Sequence, residues 1–373
     1  MYKKKYKIFI SATEQSGDNI GYNIVKILKQ NNFDIQIDGI GGHKLSKYFT
    51  NQYYSLKDFN TMGIFEIFFS ITRFLRMIKK LINLIMNNDY DLIITIDSPD
   101  FHYPLIKKLR NHLYDKKIIQ IVAPTVWAWR EYRAKKFANI YDEIMVLFNF
   151  EVSYFSKFGI KTTLIGHPIY YIKKNNIDFD SNKFIAFLPG SRKSELKSLL
   201  PYFNIAYRYL LKNNSNSTIF IPTLPHLEKE IFHFVKDWKI KTILTTDKDE
   251  INSLYPLINK ALVCSGTASL EIAKRNIPQL VIYKLNYFTE FIANFFVKIK
   301  YANIINIIEN KIIINEITNK RLKDDIFLKE FGILINDKKK NINQIRNINH
   351  VINKIELKND PYKIASERII SYL

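Results

Sequence analysis

Short apolar runs of strand type alternate with longer helical stretches along the chain, and this alternation constrains the fold more than any other feature. The strand-type runs of the first half cover residues 7–10, 35–38, 92–96, 118–122 and 143–147. Those of the second half cover residues 184–188, 218–221, 242–245, 260–264 and 279–283. Strands that alternate with helices form parallel sheets, because each helical crossover returns the chain to the same edge. The pattern therefore predicts an α/β protein with two doubly wound parallel sheets.

A break in this periodicity near the middle of the chain predicts two domains and a tail. A chain of 373 residues is long enough for two α/β domains of ordinary size. Residues 169–180 show no clean period, so we place the domain join there. The expected organisation is a Rossmann-like domain over residues 1–168, a second over residues 169–345, and a helical tail over residues 346–373. Packing of the tail back on the N-terminal domain is one option.

The composition excludes several classes of protein. A single cysteine, Cys264, excludes a disulfide framework and fits a reducing cytosol. No uncharged apolar run reaches the roughly 18 residues of a membrane span. The formal net charge of +21 draws the chain toward anionic partners. Because the basic residues are scattered and form no nucleic-acid-binding module, an anionic membrane surface is favoured over nucleic acid.

The segment FIAFLPGSRKSEL, in the middle of the chain, is typical of an anion-binding turn. Pro189, Gly190 and Ser191 break an apolar strand, and helical character resumes at residue 193. The free N–H groups of a first helical turn and the helix dipole favour negative charge there. Arg192 adds a planar guanidinium that binds phosphate through two hydrogen bonds. The alternative is an ordinary strand-to-helix turn with a solvent-facing arginine.

The segment SGTASLE supplies a second turn of the same kind. Ser265, Gly266 and Thr267 open another helix N-terminus, where a phosphate fits. Glu271, one turn into that helix, is suited to accept hydrogen bonds from the two hydroxyls of a ribose. Together with the first turn, this segment predicts binding of a nucleoside diphosphate.

Polar residues also close the first strand-to-helix turn of the chain. Ser16, Gly17 and Asp18 are small enough for the backbone to approach a ligand, and Glu14 stands at the strand end. We predict substrate contacts for Glu14, Ser16 and Asp18. Capping of the following helix by Asp18 or Ser16 is the alternative.

An acidic pair follows the strand predicted over residues 92–96. Asp97 and Asp100 flank a rigid Ser-Pro turn. A carboxylate at a strand end is well placed to remove a proton from an acceptor hydroxyl. Asp97 comes directly off the strand and is the candidate base, while Asp100 is the better candidate for a helix cap.

Two clusters of large apolar residues predict contacts with sugar or acyl groups. Trp127 and Trp129 would lie on one side of an extended loop and form a flat wall, with packing onto the core as the alternative. Residues 64–85 combine a broad apolar face with a basic polar face, as in a helix that lies on a membrane surface. Met62, Phe65 and Phe68 extend the predicted acyl-contacting wall. Ordinary packing of this helix on the sheet is the competing interpretation.

The histidines and the cysteine do not show the spacing of metal ligands. We therefore expect neither a metal nor another cofactor.

The segments described above, together with three further short ones (GIGG, MGIFE and GHP), follow one another in a fixed order. That order is SGD, GIGG, MGIFE, IDSPDF, APTVWAWR, GHP, LPGSR and SGTASLE, followed by Tyr283 and Lys284. In this order the chain closely resembles the lipid-A-disaccharide synthase family. The resemblance implies a GT-B fold, in which two Rossmann-like domains face each other across a cleft. It implies that the N-terminal domain serves the acceptor and the membrane, and that the C-terminal domain binds a UDP-sugar. Asp97 falls on the family's proposed catalytic acid position, Arg192 on its phosphate-binding arginine, and Asn306 and Glu316 on polar positions that line the nucleotide site.

The reaction implied by the resemblance is an inverting hexosyl transfer. The donor would be UDP-2,3-diacylglucosamine and the acceptor 2,3-diacylglucosamine 1-phosphate, also called lipid X. The products would be a β(1→6) lipid A disaccharide 1-phosphate and UDP. The family also implies a cytoplasmic enzyme that associates peripherally with the inner membrane, and a homodimer as a common assembly. Two alternatives stay open at this point: a UDP-sugar epimerase on the same fold, and a non-catalytic basic protein that binds membrane or nucleic acid.

Overall fold

The structure is a computed structural model, and it describes residues 5–31, 34–59, 67–127, 131–264, 266–284 and 301–373. The chain forms two compact units. Unit 1 comprises Met1–Tyr170 together with Leu357–Leu373, and unit 2 comprises Tyr171–Glu356.

Unit 1 is built on a parallel sheet that has seven strands among the described residues, in the order β3-β2-β1-β4-β5-β6-β7. The strands are β1 (Tyr6–Ala12), β2 (Ile35–Gly41), β3 (Asn51–Ser55), β4 (Leu92–Ile96), β5 (Lys117–Ile121), β6 (Glu143–Val146) and β7 (Lys161–Leu164). The helices between them are α1 (Gln15–Gln30), α2 (Ile67–Asn88), α3 (Pro99–Asn111), α4 (Tyr132–Ala138) and α5 (Asn149–Ser156). The strand order reverses between β1 and β4, which is the position where doubly wound sheets bind ligands.

Strand β4 shows why these segments form strands without polar alternation. Its sequence LIITI is buried at every position. Leu92, Ile94 and Ile96 pack on the α1 side of the sheet, whereas Ile93 packs on the side of α2 and α3. A parallel strand covered by helices on both faces needs apolar side chains in both directions.

Unit 2 repeats this architecture with a sheet that has six strands among the described residues, in the order β10-β9-β8-β11-β12-β13. The strands are β8 (Phe184–Leu188), β9 (Thr218–Pro222), β10 (Thr242–Thr245), β11 (Lys260–Cys264), β12 (Gln279–Tyr283) and β13 (Asn315–Thr318). The helices are α6 (Lys193–Asn213), α7 (Pro225–Val235), α8 (Lys248–Leu254), α9 (Thr267–Lys274), α10 (Ile304–Glu309), α11 (Asp324–Asn336) and α12 (Lys338–Ile355). Here the order reverses between β8 and β11.

The predicted fold class is confirmed, since both units are doubly wound parallel sheets. Each strand predicted from the sequence has a counterpart, whereas β3, β7 and β13 were not predicted. All three lie at the edge of a sheet. Their sequences, NQYYS, KTTL and NEIT, are largely polar because an edge strand is only partly covered.

The C-terminal tail differs from the predicted range of 346–373. Helix α12 continues to Ile355 and belongs to unit 2, and the chain enters unit 1 only at Leu357. The last helix, α13 (Pro361–Ile370), then joins the core of unit 1. Its buried residues Tyr362, Ala365 and Ile369 pack in one cluster with residues of α1 and β1.

A buried ion pair fixes the end of α13 to unit 1. Glu143, at the start of β6, is 0% exposed. The Arg368 guanidinium donates to both of its carboxylate oxygens at 2.9 Å, and the hydroxyls of Thr163 and Tyr372 donate as well. A carboxylate buried this deeply is tolerated only because several donors surround it.

The basic amphipathic helix of the sequence corresponds to α2, but the core occupies much of its apolar face. Ile78, Leu81, Ile82 and Ile85 are buried in the core of unit 1. The alternative of packing on the sheet therefore holds for this half of the helix. Leu75 stays 45% exposed. The exposed basic residues around it are Arg73, Arg76, Lys79 and Lys80.

Two residues of the predicted acyl-contacting wall, and the side chain of a third, fall where no structure is described. Met62 and Phe65 lie outside the described residues, and so does the side chain of Phe68. Within the described part of the chain, helices long and apolar enough to cross a bilayer are not found.

We expect Arg368→Met to lower the free energy of unfolding by about 3 kcal/mol, because it leaves the buried Glu143 carboxylate with hydroxyl donors alone. Urea unfolding followed by circular dichroism measures the loss. Lys363→Met is the matched control on the same helix. The ion pair that the Lys363 side chain forms with Glu367 is exposed and 4.0 Å long, so this change should have little effect. Equal stability of Arg368→Met and wild type would contradict a stabilising buried pair.

Candidate active site

The carboxyl ends of β1 and β4 bring three predicted site residues together in unit 1. Asp97 is half-buried and directly follows β4. Its Oδ2 accepts a hydrogen bond from the Ser16 hydroxyl at 3.0 Å, and its Oδ1 accepts one from the Ser98 N–H at 2.8 Å. The Ser98 hydroxyl donates to Glu14 at 3.3 Å. Asp97, Ser16 and Glu14 therefore form one polar cluster at the switch point of this sheet.

The backbone beneath this cluster is strained. Asp97 and Ser98 have φ values of +58° and +46°, in the left-handed region that non-glycine residues seldom occupy. Strain of this kind concentrates at functional sites, where the surrounding structure holds it in place.

A buried histidine forms a hydrogen bond with the backbone of the strained turn. His102 is 0% exposed, and its Nδ1 lies 2.7 Å from the Asp97 carbonyl oxygen. Since a carbonyl only accepts, Nδ1 carries the proton, and Nε2 accepts from the Ser11 hydroxyl at 2.8 Å. Burial lowers the pKa of His102 to about 4, although the hydrogen bond to the Asp97 carbonyl raises it in part. The ring is therefore neutral at pH 7.

Asp18 does not fit its predicted role in substrate binding. Its carboxylate is 0% exposed and accepts hydrogen bonds from the N–H groups of Gly42, Lys44 and Leu45, at 2.7, 3.2 and 3.1 Å. A Cβ at Gly42 would lie 2.7 Å from Asp18 Oδ2, so glycine is required there. Asp18 thus shapes the turn after β2 and is closed to a ligand. It does not cap α1 either, because the N-cap residue of that helix is Glu14, whose side chain makes no capping hydrogen bond to the helix.

Trp127 is held at the edge of an aromatic cluster. Its indole N–H donates to Glu151 at 3.3 Å, and its ring meets Phe150 edge-on at 5.6 Å between centroids. Burial raises the pKa of Glu151, and its hydrogen bonds oppose that shift. Trp129 lies outside the described residues, so the predicted wall is represented by Trp127 alone.

In unit 2, the turn between β8 and α6 holds the predicted anion-binding residues, but an internal carboxylate already contacts it. Glu195 Oε2 accepts from the N–H groups of Ser191 and Arg192 at 3.1 and 3.3 Å. Gly190 has φ +107°, and a Cβ there would lie 2.7 Å from that oxygen. The Arg192 side chain stays 73% exposed, with its guanidinium 3.5 Å from Glu195. The guanidinium and the Ser191 hydroxyl are therefore the groups of this turn that face solvent.

The turn between β11 and α9 follows on the other side of the switch point. Gly266, with φ +143°, precedes Thr267, the first residue of α9. Burial raises the pKa of Glu271, which lies one turn into this helix, and Arg275 lowers it in part. Ser265 lies outside the described residues.

The remaining predicted nucleotide contacts lie at the end of β12 and within β13. Tyr283 ends β12, and burial raises the pKa of its hydroxyl. The exposed Lys284 follows, with Nζ 5.8 Å from the centroid of the Tyr202 ring. Glu316, in β13, accepts from the N–H groups of Ala302 and Asn303 at 3.0 and 2.8 Å. Burial raises the pKa of Glu316.

Asn306 does not fit its predicted position on the lining of a nucleotide site. It is 0% exposed. Its side-chain oxygen accepts from the N–H groups of Ile313 and Ile314, and its amide donates to the Ile314 carbonyl at 2.7 Å. Both side-chain polar atoms thus help to close the connection from α10 to β13, and the side chain also hydrogen-bonds Glu316. In the described part of the chain, clusters of three or more His, Cys, Asp or Glu side chains able to hold a metal ion are not found.

Comparison with known proteins identifies the family. The family model described as Lipid-A-disaccharide synthetase matches residues 8–367. The lipid-A-disaccharide synthase of Rickettsia felis is 35% identical over 376 residues, which cover 97% of this chain and 95% of that protein. The one from Rickettsia bellii is 36% identical over 322 residues, covering 83% of this chain and 84% of that protein. The chain belongs to the lipid-A-disaccharide synthetase family.

Solved structures of other proteins share the fold of this lipid-A-disaccharide synthetase family member. A UDP-GlcNAc 2-epimerase from Neisseria meningitidis, bound to UDP-GlcNAc, superimposes with a TM-score of 0.63 at 13% identity, covering 99% of this chain and 100% of that chain. MurG from Acinetobacter baumannii does so with a TM-score of 0.59 at 11% identity, with the same coverage. Because glycosyltransferases and epimerases share this GT-B fold, the fold does not separate them. Family membership does: the protein is a glycosyltransferase of lipid A biosynthesis.

Several residues that hold the site loops of this family member in place were not predicted from the sequence. His102, Ser11 and Gln120 meet around Asp97 from three different elements, so no local pattern joins them. The contact of Glu195 with the turn before α6 could have been predicted, because a glutamate at the third position of a helix is typical of a capping box.

Lowering the pH from 7 to 5 is expected to destabilise the protein, because two imidazoles are neutral in the folded chain: that of His102, which is fully buried, and that of His167, which is partly buried just after β7. Burial lowers the pKa of each to about 4. In the unfolded chain a histidine has a pKa of about 6.5. Below that pH the unfolded chain binds protons that the folded chain does not, so the free energy of unfolding falls by about 1.4 kcal/mol per pH unit for each histidine. Urea unfolding at both pH values measures this slope.

His102→Asn removes one of these two titrating groups and should flatten the slope. His233→Asn is the control, since His233 is exposed on α7 and its removal should leave the slope unchanged. The same slope in wild type and His102→Asn would contradict a buried neutral imidazole.

Proposed function

We propose that the protein transfers a 2,3-diacylglucosamine unit from UDP-2,3-diacylglucosamine to the 6-hydroxyl of lipid X, with inversion at the anomeric carbon. The products are the β(1→6) lipid A disaccharide 1-phosphate and UDP. The observation that carries the proposal is the Asp97 carboxylate, fixed by Ser16 and Ser98 at the switch point of unit 1 in a member of this family.

Asp97 is assigned the role of general base. As the acceptor oxygen forms its bond to the anomeric carbon, its proton has to leave, and a positioned carboxylate takes it. The half-buried carboxylate receives hydrogen bonds from a hydroxyl and from a backbone N–H, which hold it in one direction. Glu14 and Ser16 are exposed beside it and are assigned to the acceptor. In this scheme unit 1 serves the acceptor and the membrane.

Unit 2 is assigned to the UDP-sugar. The exposed guanidinium of Arg192 is suited to the diphosphate, on which negative charge grows as the sugar leaves. Gly190, Ser191, Gly266 and Thr267 surround the same strand ends, and Ser265 is assigned with them. Glu271 is assigned to the ribose. Tyr283, Lys284 and Glu316 complete the proposed nucleotide contacts.

The proposed setting is the cytoplasmic face of the inner membrane, with peripheral association. Both proposed substrates are acylated and one carries a free phosphate, so the protein has to meet an anionic lipid surface. The net charge of +21 and the exposed basic residues of α2 support this partner over nucleic acid. Trp127, Trp129, Met62, Phe65 and Phe68 stay assigned to acyl contacts, and a homodimer is the proposed assembly.

We expect UDP release from UDP-2,3-diacylglucosamine to depend on lipid X, and to fall by about 10²- to 10⁴-fold in Asp97→Ala, because the base is lost. A coupled UDP assay measures both. Asp100→Ala is the matched control, since Asp100 lies on the same turn, is 82% exposed and pairs with Arg133. Release without lipid X would instead support epimerase-like chemistry. Full activity of Asp97→Ala would remove Asp97 as the base.

Arg192→Ala is expected to weaken UDP binding about 10- to 100-fold, which is the range for losing a charged hydrogen bond. Isothermal titration with UDP measures the affinity. Arg208→Ala is the control, because Arg208 is an exposed arginine on the same helix, well beyond its first turn. Equal affinities in all three proteins would exclude Arg192 from the nucleotide site.

A further inference from the structure

We propose that His102 is a positioning residue for the transfer reaction, which holds the peptide carbonyl of Asp97 and so fixes the direction of the Asp97 carboxylate. This role rests on the proposed function of Asp97. His102 itself touches neither substrate, because it is buried beneath the turn.

The Asp97 carbonyl is held from two sides. His102 Nδ1 donates to it at 2.7 Å, and the Gln120 side-chain amide donates to it at 3.2 Å. The Asp97 carbonyl requires the proton on Nδ1, and the Ser11 hydroxyl, which donates to Nε2 at 2.8 Å, holds the ring on its other side. Both ring nitrogens therefore have an assigned partner, and a flipped ring would place the wrong atoms against the Asp97 carbonyl and the Ser11 hydroxyl.

The second donor is itself tied to the sheet. Gln120 is 0% exposed and lies within β5. Its amide nitrogen also donates to the carbonyls of Ile121 and Val122 at 3.2 and 2.9 Å, and its oxygen accepts from the Thr95 hydroxyl at 2.6 Å. The support for the Asp97 carbonyl thus reaches the ends of both β4 and β5.

The strained turn requires this support. Two successive left-handed residues are energetically unfavourable, and they persist only where their surroundings fix them. Asp97 N–H donates to the Ile121 carbonyl at 2.9 Å, and the Ser98 carbonyl accepts from the N–H groups of Phe101 and His102. With its carbonyl released, the Asp97–Ser98 segment can relax to an ordinary conformation. Such relaxation would swing the carboxylate away from Ser16.

Two substitutions separate the hydrogen bond from the volume of the ring. His102→Leu fills the space but donates nothing to the Asp97 carbonyl. In His102→Asn the amide nitrogen stands as many bonds from Cβ as Nδ1 does, so it restores that donor. We expect kcat of His102→Leu to fall about 10²-fold, as for a misplaced reacting group, with KM for the UDP-sugar unchanged. His102→Asn should recover most of kcat.

Tyr90→Phe is the matched control. Tyr90 is 0% exposed, lies just before β4, at the opposite end of that strand from Asp97, and donates to Asp38 at 2.8 Å. Loss of its hydroxyl removes this hydrogen bond and the one with the Tyr53 hydroxyl, both in the same unit. We therefore expect lower stability in urea with an unchanged kcat. A parallel loss of kcat in Tyr90→Phe would show that stability alone explains the effect.

Ser11→Ala provides a second test that keeps the fold, because it removes only one buried hydroxyl. The imidazole then loses the hydrogen bond at Nε2, and with it part of the restraint on its orientation. We expect kcat to fall about fivefold, the equivalent of one hydrogen bond, again with KM unchanged. A wild-type kcat in Ser11→Ala would overturn the proposed positioning.

Crystal structures of wild type, His102→Leu and His102→Asn test the same role without turnover. The expected result is a positive φ at Asp97 and a contact between Asp97 and Ser16 in wild type and His102→Asn, with both lost in His102→Leu. If the wild type shows no acceptor-dependent release of UDP, the proposed function fails while this comparison still decides the positioning. Retention in His102→Leu of the wild-type kcat, or of the left-handed Asp97, would overturn it.

Discussion

The pairing of β1 with β4 in unit 1, and of β8 with β11 in unit 2, is the constraint on which the rest of the structure depends. In each case two parallel strands that are distant in sequence lie side by side, and their following helices leave toward opposite faces of the sheet. The loops after these strands therefore have room between them. In unit 1 that room holds Glu14, Ser16 and Asp97, and in unit 2 it holds the turns around Arg192 and Gly266.

Buried polar side chains hold the loops that follow these strands in fixed conformations. Asp18 organises the turn after β2, His102 and Gln120 hold the turn after β4, and Asn306 closes the connection before β13. Each of them satisfies backbone groups that no strand or helix could satisfy at these positions. The loops that present the exposed residues of the candidate site therefore have few alternative conformations.

The sequence predicts the central strands well, because a strand covered on both faces has to be apolar throughout, as LIITI in β4 is. It does not reveal β3, β7 and β13, whose partial exposure permits polar side chains. For polar residues in loops, the sequence does not distinguish those that stabilise a loop from those that are available to a substrate. Asp18 and Asp97 both follow strands beside small residues, yet Asp18 is fully buried and Asp97 is half-buried. That difference arises from Gly42, Lys44 and Leu45, which reach Asp18 only after the chain has folded.

The return of α13 to unit 1 also governs the order in which the chain folds during synthesis. Ser366 donates to the carbonyl of Ile24 across 342 positions of the sequence. The whole of unit 2 is synthesised before α13. Until α13 has been synthesised, the apolar face of α1 that it covers is exposed to solvent in the nascent chain. Unit 2, in contrast, is continuous in sequence and can complete its fold first. The N-terminal unit is thus the later of the two to close, which makes it the part of the newborn chain most exposed to aggregation and to chaperone capture.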